Sequence, residues 1–153
     1  MRYLVPLDGS RLAEQALPYA KERARTTSGD LVLVRVINIA RDIAAASMGG
    51  GMESISASSV EAIQGAADQE IKEAGIYLDQ QAQTLRQQGF QVMTEVRSGV
   101  PAQQILAVAK DKGVDVVIIT THGRSGLGRM VFGSVADEVI RSGQLPVLVI
   151  NNK

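Results

Sequence analysis

Five short β-rich runs divide the 153-residue chain, and four of them are nearly unbroken Val, Leu and Ile: Tyr3 to Leu7, Leu31 to Ile37, Val114 to Thr120 and Pro146 to Ile150. A strand covered on one face alternates apolar and polar residues. A strand covered on both faces reads as a continuous apolar run, the mark of a parallel sheet with helices on either side. The fifth run, Phe90 to Val96, alternates instead (Phe90-Gln91-Val92-Met93-Thr94-Glu95-Val96), as a half-exposed edge strand does.

Helical patterns fill the intervals. Ser10 is placed to cap a helix running to about Arg25, with Leu12, Ala13, Ala16, Leu17 and Ala20 inward. Pro18 would delete the hydrogen bond to Glu14, which predicts a kink. Ile63, Ala67, Ile71, Ala74, Leu78, Ala82 and Leu85 recur at steps of three and four, and Gly89 closes that helix. Pro101 begins a third, with Ile105, Leu106 and Val108 apolar, ending near Gly113. Ser134 is expected to cap a fourth, with Asp137 three residues on and Gly143 at its end. Strands alternating with helices specify an α/β fold, a doubly wound three-layer sandwich whose five-stranded parallel sheet has the order 3-2-1-4-5. The length fits one domain over residues 1–153. Residues 41–59, centred on Met48-Gly49-Gly50-Gly51-Met52, lack a firm period and read as a mobile insertion.

Sixteen Lys and Arg balance sixteen Asp and Glu. Such a chain has no broad field with which to grip nucleic acid or an anionic membrane, so an anion must be held locally by backbone and a few side chains. The absence of cysteine excludes disulfides, thiolate metal sites and a cysteine nucleophile. No secretory h-region follows Met1, and the apolar runs are far shorter than a membrane span, so the expected location is the cytoplasm.

In an open parallel sheet, ligands bind beyond the carboxyl ends of the strands where the winding reverses, here between the first and fourth strands. The unusual residues gather at those two ends. The first strand runs out as Pro6-Leu7-Asp8-Gly9-Ser10. The fourth runs out as Thr120-Thr121-His122-Gly123, then Arg124-Ser125-Gly126-Leu127-Gly128-Arg129-Met130-Val131-Phe132-Gly133-Ser134. Glycines let the backbone approach a ligand, and the helix opening at Gly133-Ser134 presents free N–H groups and a dipole that favour negative charge. Arg124 and Arg129 can add charge-assisted bonds. The same residues also suit a plain turn with a helix cap and two solvated arginines. Asp8 can meet ribose hydroxyls or a phosphate-bound divalent cation, or simply brace the turn into the first helix. Pro6 makes sense near a strand end, as a flat surface against a base. His122, the only histidine, has neither a Ser–His–carboxylate grouping nor companion ligands for a metal.

A P-loop, G-x-x-x-x-G-K-[ST], is absent, and Asp8-Gly9-Ser10 does not supply the dinucleotide fingerprint G-x-G-x-x-G. A phospho-receiver domain needs an acidic pair, an Asp ending the third strand and a Lys ending the fifth. Of these only Asp8 is present.

Over essentially its whole length the chain resembles the universal stress protein family. Tyr3-Leu4-Val5-Pro6-Leu7-Asp8-Gly9-Ser10 is similar to the family's first strand and turn, and Ser98-Gly99-Val100-Pro101-Ala102 to the lead-in of its third helix. The loop resembles the signature of the ATP-binding branch, G-x2-G-x9-G-[ST], with Gly123 as second glycine, Arg124 to Phe132 as spacers and Gly133-Ser134 as the end. Thr120 stands where that signature has its first glycine, a departure that places a side chain beside the sugar or α-phosphate. The resemblance implies an adenine nucleotide alpha hydrolase-like fold and a base pocket from Pro6, Val36 and Ile119. It implies Asp8 and Thr120 near the sugar, with Gly123, Gly133, Ser134 and Val135 around the phosphates, where the charge of Arg124 can also reach. It implies ATP, or ADP or AMP, with Mg2+ or Mn2+, Asp8 being the candidate protein ligand. It also implies a homodimer through Pro146 to Ile150 and a further protein partner. The leading expectation is a nucleotide-binding regulatory module of the stress response rather than an efficient enzyme. The alternatives are a dimeric scaffold that has lost the nucleotide and a slow ATPase.

Overall fold

Residues 1–40, 43–44, 57–121 and 133–151 are described by the computed structural model of the chain. The five runs form strands β1 (Arg2–Pro6), β2 (Asp30–Ile37), β3 (Val92–Ser98), β4 (Val116–Thr121) and β5 (Val147–Asn151). All four pairings are parallel, and the order is β3-β2-β1-β4-β5. The register sets Leu4 beside Val32 and Val117, and Ile118 beside Leu148. The doubly wound topology expected from the sequence is therefore the observed one.

Alternation along each strand divides the interior into two cores. Tyr3, Val5, Leu31, Leu33 and Ile118 face one side, where they meet helices α1 (Arg11–Glu14), α2 (Ala16–Thr27) and α3 (Ala57–Gln87). Leu4, Val32, Val34, Val117 and Ile119 face the other, against α4 (Pro101–Asp111) and α5 (Ser134–Arg141). Leu4, Val5, Val32 and Leu33 are fully buried. Each such side chain stabilises the fold by about 1.5–3 kcal/mol relative to exposure.

The kink expected at Pro18 is realised as a break at Gln15, between α1 and α2. Proline lacks the N–H that would bond the Glu14 carbonyl, so the ladder fails one turn upstream. Ser10 does cap α1, its Oγ accepting from the Ala13 N–H at 3.1 Å. Ala13, Ala16, Ala20 and Ala24 carry the buried stripe, while Leu12 and Leu17 are only half-buried. Helix α3 buries Ala67, Ala74, Leu78, Ala82 and Leu85, and Gly89, at φ +92°, ends the chain's helical path there. It starts at Ala57, inside the stretch read as an insertion. Of that stretch Ile43 and Ala44 are also helical, and residues 41–42 and 45–56 lie outside the described residues.

The cap expected at Ser134 is not the observed one. Gly133, not Ser134, is the N-cap of α5, and Ser134 is its first helical residue. Asp137 accordingly makes no capping box; its carboxylate accepts from Arg141 Nε at 2.8 Å. Both sheet edges are open among the described residues. On β3 the edge carries charge, with Arg97 bonded to Glu95 and Asp111 and Lys112 reaching Glu95, a pattern that discourages strand addition. The β5 edge is apolar, with Val147, Leu148 and Val149 half-buried.

Candidate functional site

Beyond the carboxyl ends of β1, β2 and β4 lies a cleft of about 790 Å³. That is within the range of about 300–1,000 Å³ taken by small-molecule sites, and it sits at the winding reversal. Its floor is apolar for a simple reason. Pro6, Val34, Val36 and Ile119 occupy alternate positions on the α4–α5 side of the sheet, and Pro101 and Ile105 of α4 close over them.

The polar rim comes from three places. Leu7 still bonds to Val34, its N–H reaching the carbonyl at 2.8 Å, so β1 stays in register with β2 up to Asp8. Asp8 then accepts from the Ser10 N–H at 2.9 Å, which braces the turn, while its carboxylate remains exposed on the cleft wall. The bracing role expected of Asp8 is thus observed, and the same residue lines the cleft. Thr120 lines the wall at the end of β4. At the same end of the sheet α5 opens into the cleft through Gly133, Ser134, Val135 and Ala136, and its N-cap glycine offers no side chain to the first N–H groups.

Of the site residues expected from sequence, Pro6, Asp8, Val36, Ile119, Thr120, Gly133, Ser134 and Val135 are brought together here. Gly123 and Arg124 lie outside the described residues, as do His122 and Arg129. Asn38, Glu70, Leu12 and Pro101 also line the cleft, beyond the residues expected there from sequence. Asn38 directly follows β2 and was open to the strand-end argument applied to Asp8. Glu70 had no local signal, because only the tertiary path of α3 brings it over the sheet.

Behind the Asp8 turn, the Tyr77 hydroxyl donates to Glu14 Oε1 at 2.8 Å. Burial, and next the bond to Glu14, push this phenol well above the ordinary tyrosine range. It is therefore a neutral donor at any physiological pH. A smaller depression of about 340 Å³ at the opposite end of the sheet is lined by Met1, Tyr3, Arg23, Thr26, Thr27, Val116 and Leu148. It lies at the amino ends of the strands, away from the helix N-termini that favour anions. Among the described residues no helix is long and apolar enough to cross a membrane.

Fold and cleft together define a doubly wound α/β protein with a crevice at its topological switch point. The sequence model of the universal stress protein family matches residues 1–151, and the chain belongs to that family. Universal stress protein MJ0577 of Methanocaldococcus jannaschii is 30% identical over 99% of this chain and 95% of its own. The solved structure of MJ0577 superposes with a TM-score of 0.78, covering 99% of this chain and 96% of that one. Universal stress protein YxiE of Bacillus subtilis is 29% identical over 97% of both chains. Universal stress protein UspA from Lactobacillus plantarum shares the fold, with a TM-score of 0.75 at 21% identity over 98% of this chain and 97% of its own.

Proposed function

We propose that the chain is a nucleotide-responsive module of the stress response, binding ATP, or ADP or AMP, with Mg2+ or Mn2+ in the cleft between β1 and β4. The observation that carries this reading is the opening of α5. The first N–H groups of a helix have no partner inside it, and those of Ser134, Val135 and Ala136 belong to residues that line the cleft. The residue before them has no side chain, and among the described residues a Cβ on Gly133 would meet no atom within 4 Å.

In this reading the base lies on Pro6, Val36 and Ile119, and the sugar lies beside Asp8 and Thr120. The phosphates take the N–H groups and hydroxyl at Gly133, Ser134 and Val135. Gly123 belongs to the same proposal through the signature it matches, and Arg124, the spacer after it, through the charge it can bring to a phosphate. No three metal-ligating side chains converge among the described residues. A divalent cation would accordingly arrive with phosphate oxygens in its shell and take at most Asp8 from the protein. Thr120 forms part of a wall with open volume beside it, which supports nucleotide binding over a scaffold that has lost it. The apolar edge of β5 is the surface through which two copies would pair, extending the sheet; a partner protein would then read the nucleotide state.

Calorimetric titration with ATP and Mg2+ tests the reading. Saturable heat below about 1 mM ATP, with one nucleotide per chain, is the expected result. No heat at that concentration would reject it.

A further inference from the structure

Arg35 interrupts an otherwise apolar strand face. Leu31 and Leu33 precede it on the α1–α3 side of β2, and the next position on that side would ordinarily continue the core. Its guanidinium lies against Gly9 instead. A Cβ on that glycine would stand 3.3 Å from Arg35 Nη1, and Gly9 holds φ at +86°, a conformation that glycine adopts without steric cost. The guanidinium also sits over the Tyr77 ring, 5.4 Å from its centroid. Tyr77 is fixed in turn by its bond to Glu14, which accepts from Gln81 Nε2 as well, at 3.4 Å. Among the described residues no carboxylate forms an ion pair with Arg35.

We infer that Arg35 is a positioning residue for the cleft: stacked on Tyr77 and packed under Gly9, it fixes the turn that carries Asp8. The inference rests on the nucleotide reading above and deepens it. The Asp8-to-Ser10 bond and the Ser10 cap hold the turn through its own atoms and α1. Arg35 supplies the support from the sheet. Because Tyr77 and Gln81 both belong to α3, the orientation of Asp8 is tied to a helix that also contributes Glu70 to the cleft. A planar guanidinium suits this place, since it stacks on a ring and lies flat against a bare Cα, which an ammonium does not.

The test is a double-mutant cycle between Arg35→Ala and Asp8→Asn, read by ATP–Mg2+ affinity, together with amide hydrogen exchange in the nucleotide-free protein. Arg35→Ala is expected to weaken ATP by about tenfold in the parent and to add nothing in the Asp8→Asn background, the coupling of residues that act as one unit. Arg35→Lys, retaining stem and charge, should fall between. Exchange at the Ser10 amide should quicken by about tenfold in Arg35→Ala, while amides of β3 stay unchanged. An unaltered affinity, or an equal loss in both backgrounds, would overturn the inference. Should the parent protein take up no ATP, the nucleotide reading fails by itself. The exchange arm still decides, since an unchanged rate at Ser10 shows that Arg35 does not hold the turn.

Discussion

Gly133→Val is expected to weaken ATP binding by at least about 30-fold, equivalent to about 2 kcal/mol, while leaving the protein folded. Gly133 holds φ −57° and ψ 151°, an extended conformation open to valine. The added Cβ forces no repacking of the described residues, none of which comes within 4 Å of it. Valine is a poorer N-cap than glycine, which costs at most about 1 kcal/mol of stability, or about 2–4 °C in melting temperature for a chain of this size. The two γ-methyl groups, however, enter the space in front of the α5 N–H groups, where the phosphates are proposed to lie. Gly133→Ala should give a smaller loss in the same direction. Calorimetry and thermal melts on the same samples check both halves. An unaltered isotherm at an unaltered melting temperature would show that the phosphates lie elsewhere.

Leu4→Ala is expected to be the most damaging of these substitutions for stability. Leu4 is fully buried in the central strand, between Val32 and Val117, in the core shared with α4 and α5. Truncation removes its transfer free energy and leaves a cavity that the flanking strands cannot close, for a loss of about 2–5 kcal/mol. At about 3 kcal/mol the melting temperature falls by about 6–12 °C. The same strand delivers Pro6 and Asp8 to the cleft. Even so, the folded fraction should bind ATP with near-parent affinity, because the cavity opens within the sheet and not at its carboxyl edge. Denaturant titration checks the first part. A loss below about 1 kcal/mol would mean that β1 is not the central, doubly covered strand.

The sheet was legible because doubly covered strands write themselves as apolar runs; Leu31 to Ile37 needed no context to be read. The edge position of β3 showed in its alternation, and Pro101 and Gly89 marked helix ends by backbone chemistry alone. Where reading and structure part, local rules tied. Glycine and serine are both accepted at an N-cap; the sequence pointed to Ser134, and the structure has Gly133 there. Pro18 announced a broken ladder but not where the chain would yield, which was Gln15. The cleft was legible as far as strand ends go: Pro6, Asp8 and Thr120 follow from topology. Glu70 and the Arg35–Tyr77 stack were not, because a polar residue on a helix face and an arginine within a strand acquire meaning only when α3 is laid across the sheet.

Mapping the backbone amides by nitrogen–proton NMR during an ATP–Mg2+ titration tests the central claim most directly. Saturating shifts at Asp8, Val36, Thr120, Ser134 and Val135, with Tyr3, Thr27 and Val116 unmoved, are the predicted result. Saturable binding whose shifts gather around Tyr3, Thr27 and Leu148 instead would contradict it.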